Sequence, residues 1–177
     1  MDHEPTGAQP ATEPSPGVMR RLRARYAAGV AVVTFVTGEG LRGLTVTSFT
    51  VVSISPPLVL ICIERHLESA ALLTAAGAFG VSLLSDAQEF LAERFAGRAP
   101  LVDEAFTGVP YHTAVTGAPL LNGAVAWFDC RLHATFDGGD HTIFVGRVVA
   151  AGEGNDRLAP LLYYAGFYAT LDRLRRP

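Results

Sequence analysis

Five hydroxyl side chains fall within nine residues, at Thr45, Thr47, Ser48, Thr50 and Ser53. They supply hydrogen-bond donors and acceptors without adding charge. Two readings of the stretch stand: a polar, planar ligand laid along a strand edge, or a solvated strand face that uses threonine for its β-propensity. A second candidate is the turn FDGGDH, which ends at His141. A glycine-rich hairpin can present one imidazole at a strand edge, and the alternative is a histidine that simply faces water. Ser69 stands near the start of a helical segment, where unpaired N–H groups can hold a phosphate or the serine can cap its own helix. Tyr163, Tyr164, Phe167 and Tyr168 cluster near the C-terminus, as packing or as a stacking platform.

What is missing narrows the chemistry further. There is no HExxH, no CxxC and no His/Cys cluster at ligand spacing, so no catalytic metal is expected. Cys62 and Cys130 each lie inside an apolar run and read as buried small hydrophobes rather than a disulfide pair. GxSxG is absent, no Cys–His pair is evident, and no nucleotide is expected to be held by a Rossmann or P-loop device. Hydroxyls, backbone donors, one hairpin histidine and aromatics cannot break difficult bonds unaided. They can bind and orient a cofactor that does.

These groups need elements to position them. A chain of 177 residues suits one domain with a sizeable core. Its 49% hydrophobic and 18% charged content is apolar enough to include an oligomer interface. A net charge of −3 argues against a nucleic-acid or anionic-membrane partner. No apolar run reaches the roughly 18 residues of a membrane span, and the start lacks the basic and apolar regions of a secretory signal, so the expected location is cytoplasmic. Residues 1–17, with Pro5, Pro10, Pro14 and Pro16 and no periodicity, read as a disordered tail, leaving 18–177 as the folded domain.

Met19–Tyr26 reads as a short helix whose Arg20, Arg21, Arg23 and Arg25 invite a phosphate-binding reading, against which stands the commoner one of a solvated face. Gly29–Thr37 is a strand, followed by a turn at Gly38–Gly40. Gly43–Val52 has the period-2 pattern of a half-buried strand, Pro56 and Pro57 mark a corner, and Leu58–Ile63 is apolar on both faces. A helix with Leu67, Ala71 and Leu72 on one face follows, then the strand Phe79–Leu84. Ser85 and Asp86 cap a second helix with a Phe90, Leu91, Phe95 stripe facing the core. Residues 98–123 read as a long surface loop, and Ala124–Ala134 and Thr142–Ala150 as strands flanking the FDGGDH hairpin. At least six strands joined mostly by turns give a mainly β fold with short helices, a largely antiparallel sheet closing into a small barrel.

The runs GLTVTSFTVVSISPPLVLICI, FGVSLLSDAQEFLAERFAG, TGAPLLNGAVAWFDCRL and GGDHTIFVGRV resemble the short-chain flavin reductase family over roughly residues 20–172. These are the reductase components of two-component flavin monooxygenases. The resemblance implies an FMN-binding split β-barrel, a homodimer, and NAD(P)H:flavin oxidoreduction with reduced FMN or FAD passed to a partner monooxygenase. Carried over by position, Thr45, Val46, Thr47 and Ser48 line the isoalloxazine, Cys62, Ile63 and Glu64 border it, and Ser69 lies near the ribityl phosphate. Phe95 and Ala96 complete the flavin site, His141 is the catalytic residue at the nicotinamide side, and Tyr164 and Tyr168 are further contacts. The family's basic phosphate contacts vary, so neither Arg65 nor Arg98 is assigned, and no arginine clamp is evident. Two other functions fit such a barrel: a flavoprotein keeping FMN as a prosthetic group, and a non-catalytic flavin- or haem-binding protein. A pyridoxamine-phosphate-oxidase-like version would need basic residues that are scarce here.

Overall fold

The computed structural model describes residues 13–99, 105–154 and 157–171. In order, the elements are α1 (Pro16–Arg23), β1 (Ala28–Gly29), β2 (Ala31–Thr37), β3 (Gly40–Val46), β4 (Thr50–Ser53) and β5 (Leu58–Glu64). Next come α2 (Glu68–Ala76), β6 (Ala78–Leu83), a 3₁₀ turn at Asp86–Gln88 and α3 (Glu89–Phe95). The rest is β7 (Tyr111–His112), β8 (Leu120–Leu121), β9 (Ala126–Gly138), β10 (His141–Glu153), β11 (Leu162–Tyr164) and β12 (Phe167–Ala169). Residues 1–12 of the expected tail lie outside the described residues. Pro16 and Gly17 already belong to α1, because Ser15 caps it and proline suits the first helical turn, where no N–H partner is lost.

Seven strands form one antiparallel sheet in the order β3-β2-β6-β9-β10-β5-β4. β3 and β4 are consecutive in the chain yet stand at opposite edges, so residues 47–49 carry the chain across the gap and close the barrel. The expected single strand Gly43–Val52 is therefore two strands paired with different partners, β2 and β5. The break is held by Ser48, whose hydroxyl accepts from the Cys62 N–H at 2.8 Å and donates to the Cys62 carbonyl at 3.1 Å. A side chain there takes the place of a ladder partner.

β2 is buried along both faces because it separates two cores. Ala31, Val33 and Phe35 point into the barrel with Ile61, Ile63, Phe79 and Phe144. Val30 and Val32, on the other side, meet Leu84, Ala92, Phe95 and Leu121. Burying each of the large side chains is worth about 1.5–3 kcal/mol. β5 departs from its expected full burial: Val59, Ile61 and Ile63 face inward, whereas Leu58, Leu60 and Cys62 stay half-buried because no helix covers that side. In α2 the buried residues are Ala70 and Leu73, and Leu67 is exposed. In α3 Ala92 replaces Phe90 in the stripe, and Phe90 is exposed.

Within the long 98–123 segment, β7 and β8 pair into a small ribbon. Asp129 anchors the nearby chain by accepting from the Val115 N–H at 2.6 Å, the Thr116 N–H at 2.8 Å and the Thr116 hydroxyl. Gly38, Gly40 and Gly43 have GxGxxG spacing but lie in the antiparallel β2–β3 hairpin. No helix N-terminus stands behind them, so they are not a dinucleotide fingerprint.

Candidate functional site

The break between β3 and β4 is also the floor of a cleft. Thr45, Val46, Thr47 and Ser48 form one wall, Cys62, Ile63, Glu64 and Leu67 the other, and His141 closes one end of a space of about 190 Å³. A second cleft of about 270 Å³ shares Thr45–Thr47 and Glu64 and adds Ala96, Arg98, Tyr163 and Tyr168. A third of about 300 Å³ runs past Thr47 and Ser48 beneath α1. Thr47 and Arg23 line all three, so the clefts adjoin at that point.

Local chemistry decides which wall groups remain free. The Thr45 hydroxyl donates to the Ala92 carbonyl at 2.7 Å, and the Ser48 hydroxyl is occupied by Cys62. Those two side chains build the wall instead of offering donors. Thr47 is exposed, and none of the backbone hydrogen bonds outside the ladders uses the N–H groups of Thr47, Ser48 or Phe49. Fixed, uncommitted amides beside one free hydroxyl suit the polar edge of a planar heterocycle.

The hairpin holding His141 is tied down at several points. His141 pairs with Glu64 across β10 and β5, the Arg65 N–H donates to the Asp140 carbonyl at 2.9 Å, and Arg65 meets Asp137 at 2.6 Å. The Gly139 N–H donates to Asp137 at 2.8 Å, and that bond with the Arg65 guanidinium holds the Asp137 carboxyl below its usual range. His141 Nδ1 lies 2.6 Å from an Asp140 carboxylate oxygen, which lowers the Asp140 pKa. That contact leaves Nε2 for the cleft, and the carboxylate fixes the ring's orientation.

At the far end, Arg98 forks onto both oxygens of Glu93, at 2.7–3.1 Å, and donates to the Tyr168 hydroxyl at 3.0 Å. The fork holds Glu93 below the usual carboxylate range, while burial and the Glu93 contact push Tyr168 up to about 12. The Tyr163 and Tyr168 rings pack edge to face at 5.4 Å. Cys62 sits half-buried in the wall with its thiol pKa raised by burial, against the opposing pull of Ser48. Cys130, buried in the barrel, is pushed up to about 12 by burial and by Asp129. Among the described residues no three His, Cys, Asp or Glu side chains gather as a metal site.

The flavin reductase-like domain family matches residues 22–172. The chain belongs to that family. It is 46% identical over 135 residues to an NADH-dependent FAD reductase of Streptomyces globisporus, covering 75% of this chain and 74% of that one. It is 39% identical to the reductase component of a 4-hydroxyphenylacetate 3-monooxygenase from Thermus thermophilus, covering 84% of this chain and 91% of the relative. Among solved structures, the Streptomyces globisporus NADH:FAD oxidoreductase in complex with NAD and FAD fragments superposes with a TM-score of 0.82 at 38% identity, over 94% of this chain and all of that one. The seven-stranded barrel is this family's FMN-binding split β-barrel.

Eight of the residues expected in a flavin reductase site, Thr45–Ser48, Cys62–Glu64 and His141, line the first cleft, and Ala96 and Tyr168 line the second. Ile63 contributes backbone only, since its side chain is buried in the barrel. Phe95 does not reach the clefts. Its ring packs against Gly43, where an added Cβ would come within 2.7 Å, so Phe95 is a wedge that positions β3. Tyr164 is exposed and lines none of the three clefts, and its neighbour Tyr163 takes that place, because successive strand residues face opposite ways. Ser69 caps nothing: Leu67 holds the N-cap position of α2 with no side-chain bond, and Ser69 lines none of the three clefts. Of the arginine run, Arg23 lines all three clefts and Arg20 the third, at i, i+3 spacing on one side of α1.

The donor set fits a flavin. The amides of Thr47 and Ser48 and the Thr47 hydroxyl suit a ring edge that alternates acceptors and donors, and adjoining clefts of these volumes suit a ligand with a planar head and a polar chain.

Proposed function

We propose that this protein is an NAD(P)H:flavin oxidoreductase that reduces FMN or FAD and releases the reduced flavin to a separate monooxygenase, working as a cytoplasmic homodimer. The observation that carries this reading is one cleft lined both by Thr47 and Ser48, whose amides are uncommitted, and by His141. Bound flavin would accept a hydride from the nicotinamide and so serve as the diffusible product.

The chain's own part is binding, orientation and electrostatics. The Thr47 and Ser48 amides and the Thr47 hydroxyl hold the polar edge of the ring and oppose negative charge as it builds there. Thr45 and Ser48 keep that row in place by bonding α3 and β5. His141, steadied by Asp140, presents Nε2 at the nicotinamide side, where it orients the donor and can hold or give a proton. The Tyr163–Tyr168 pair and the Arg98–Glu93 fork form the wall of the second cleft.

Homodimer formation is supported by apolar side chains left exposed on one part of the barrel. Val51 and Val52 of β4 and Ile54 just beyond it are 47%, 50% and 84% exposed, beside the half-covered outer side of β5. No helix of the described residues is long and apolar enough to cross a membrane. NADH as donor and an oxygenase as recipient are suggested by relatives named as NADH-dependent reductases and as monooxygenase reductase components.

The test is anaerobic mixing of the protein with a molar excess of FMN or FAD and NADH. Bleaching of many flavin equivalents per protein supports the reading. Bleaching of at most one equivalent marks a prosthetic flavin, and no bleaching marks a binder without reductase activity.

A further inference from the structure

We infer that Arg23, seconded by Arg20 one turn earlier, reads the phosphate of the bound flavin, which makes α1 an arm of the site. This rests on the flavin reading above and goes beyond it in assigning the anion contact. The helix step of about 100° per residue puts Arg20, Arg23 and Ala24 on one side of α1. All three line the cleft beneath the helix, and Arg23 alone of them also lines the other two clefts. Arg21, two residues before Arg23, stands about 160° around the helix from it and lines none of the three clefts. The orientation is fixed by the chain itself. The Ala165 N–H donates to the Ala24 carbonyl at 3.0 Å, and Ala28 pairs with Tyr163.

The other cations near the clefts are committed. Arg98 is held by Glu93 and Tyr168, and Arg65 by Asp137. The sequence contains no lysine. The Arg23 guanidinium has no hydrogen bond or ion pair with any described residue, so its whole planar fork is available to an oxyanion. α1 buries none of its residues, so nothing in the packing of the barrel explains a helix held at this rim.

A flavin phosphate and the pyrophosphate of a nicotinamide dinucleotide share this chemistry. Thr47 favours the first: it lines the same three clefts as Arg23 and belongs to the wall assigned to the flavin.

The test is equilibrium titration by flavin fluorescence with riboflavin, FMN and FAD, on the unsubstituted protein, Arg23→Gln and Arg21→Gln. Arg23→Gln is expected to weaken FMN and FAD binding about 10-fold and to leave riboflavin unchanged, with the FMN loss shrinking at high salt. Arg21→Gln, with the same charge change on the far side of α1, should leave all three within about 2-fold. Equal loss for riboflavin, no loss for FMN and FAD, or the same loss in Arg21→Gln would each overturn the inference. So would a higher KM for NADH with riboflavin as acceptor and unchanged flavin affinities, which would give the anion contact to the nicotinamide dinucleotide. Failure of the unsubstituted protein to bind any of the three would overturn the flavin reading itself, and this inference with it.

Discussion

Ser48 completes the β-ladder of Cys62 with its side chain, accepting from the Cys62 N–H at 2.8 Å and donating to the Cys62 carbonyl at 3.1 Å. Its neighbour Thr47 has an uncommitted hydroxyl on the same wall. One residue closes the barrel and the next faces the ligand. Ser48→Ala should cost about 1–3 kcal/mol of stability, because it strands two partly buried backbone groups. Thr47→Val should leave the unfolding midpoint in place and weaken flavin binding by about 3- to 10-fold. Denaturant unfolding combined with flavin titration separates the two, and a stable Ser48→Ala would refute the structural role.

His141→Ala should raise the KM for NADH or lower kcat by about 10-fold, equivalent to about 1.4 kcal/mol, with a much smaller change in flavin affinity. The imidazole lines the first cleft beside Glu64, its pairing partner across β10 and β5. Steady-state kinetics with NADH and FMN varied independently measure both effects. A variant indistinguishable from the parent in both would reduce His141 to a turn residue.

Cys62 lines the cleft and Cys130 does not, so thiol labelling should report flavin occupancy. Thiolate is the reacting species, and burial raises the Cys62 pKa, so its alkylation rate should still be climbing as pH passes 9. FMN at saturating concentration should slow it several-fold. Cys130, pushed up to about 12 and buried, should stay unlabelled until the protein unfolds. Mass spectrometry of the labelled peptides checks each site, and equal labelling of Cys62 with and without FMN would count against the placement.

Tyr168 is pushed up to about 12 by burial and by Glu93. A raised folded pKa means that the neutral phenol is the form the fold prefers. Its contribution to stability is complete below the ordinary tyrosine value near 10 and is lost as pH rises through about 12. Alkaline absorbance titration should show one late-ionising tyrosine that disappears in Tyr168→Phe. A Tyr168→Phe curve matching the parent would mean that the Arg98–Glu93 fork does not perturb this ring.

The barrel was legible because its strands alternate and its turns carry glycine and proline, and the cleft was legible through the GLTVTSF and GGDH runs. The break within Gly43–Val52 was not, since continuous alternation hides a change of partner strand: Thr45 pairs toward β2 and Thr50 toward β5. Tyr163 was missed and Tyr164 chosen through strand parity, which aromatic composition alone does not set. Phe95 was placed at the ligand because its motif lies next to Ala96, but the absence of a side chain at Gly43 draws its ring under the strand instead. The arginine run allows both a phosphate contact and a solvated face, and its composition does not say which arginine faces the clefts. Only the anchoring of α1 by Ala165 turns one side of that run toward the clefts.

The central claim is that flavin is a substrate, bound and released in each cycle. It is tested most directly by the rate of NADH oxidation in air at fixed, catalytic protein as FMN or FAD is added to protein stripped of bound flavin. A rate near zero without flavin, rising hyperbolically with added flavin to many turnovers per protein, is the expected result. A rate that is already maximal with one flavin per protein, or that never rises with any flavin, would contradict it.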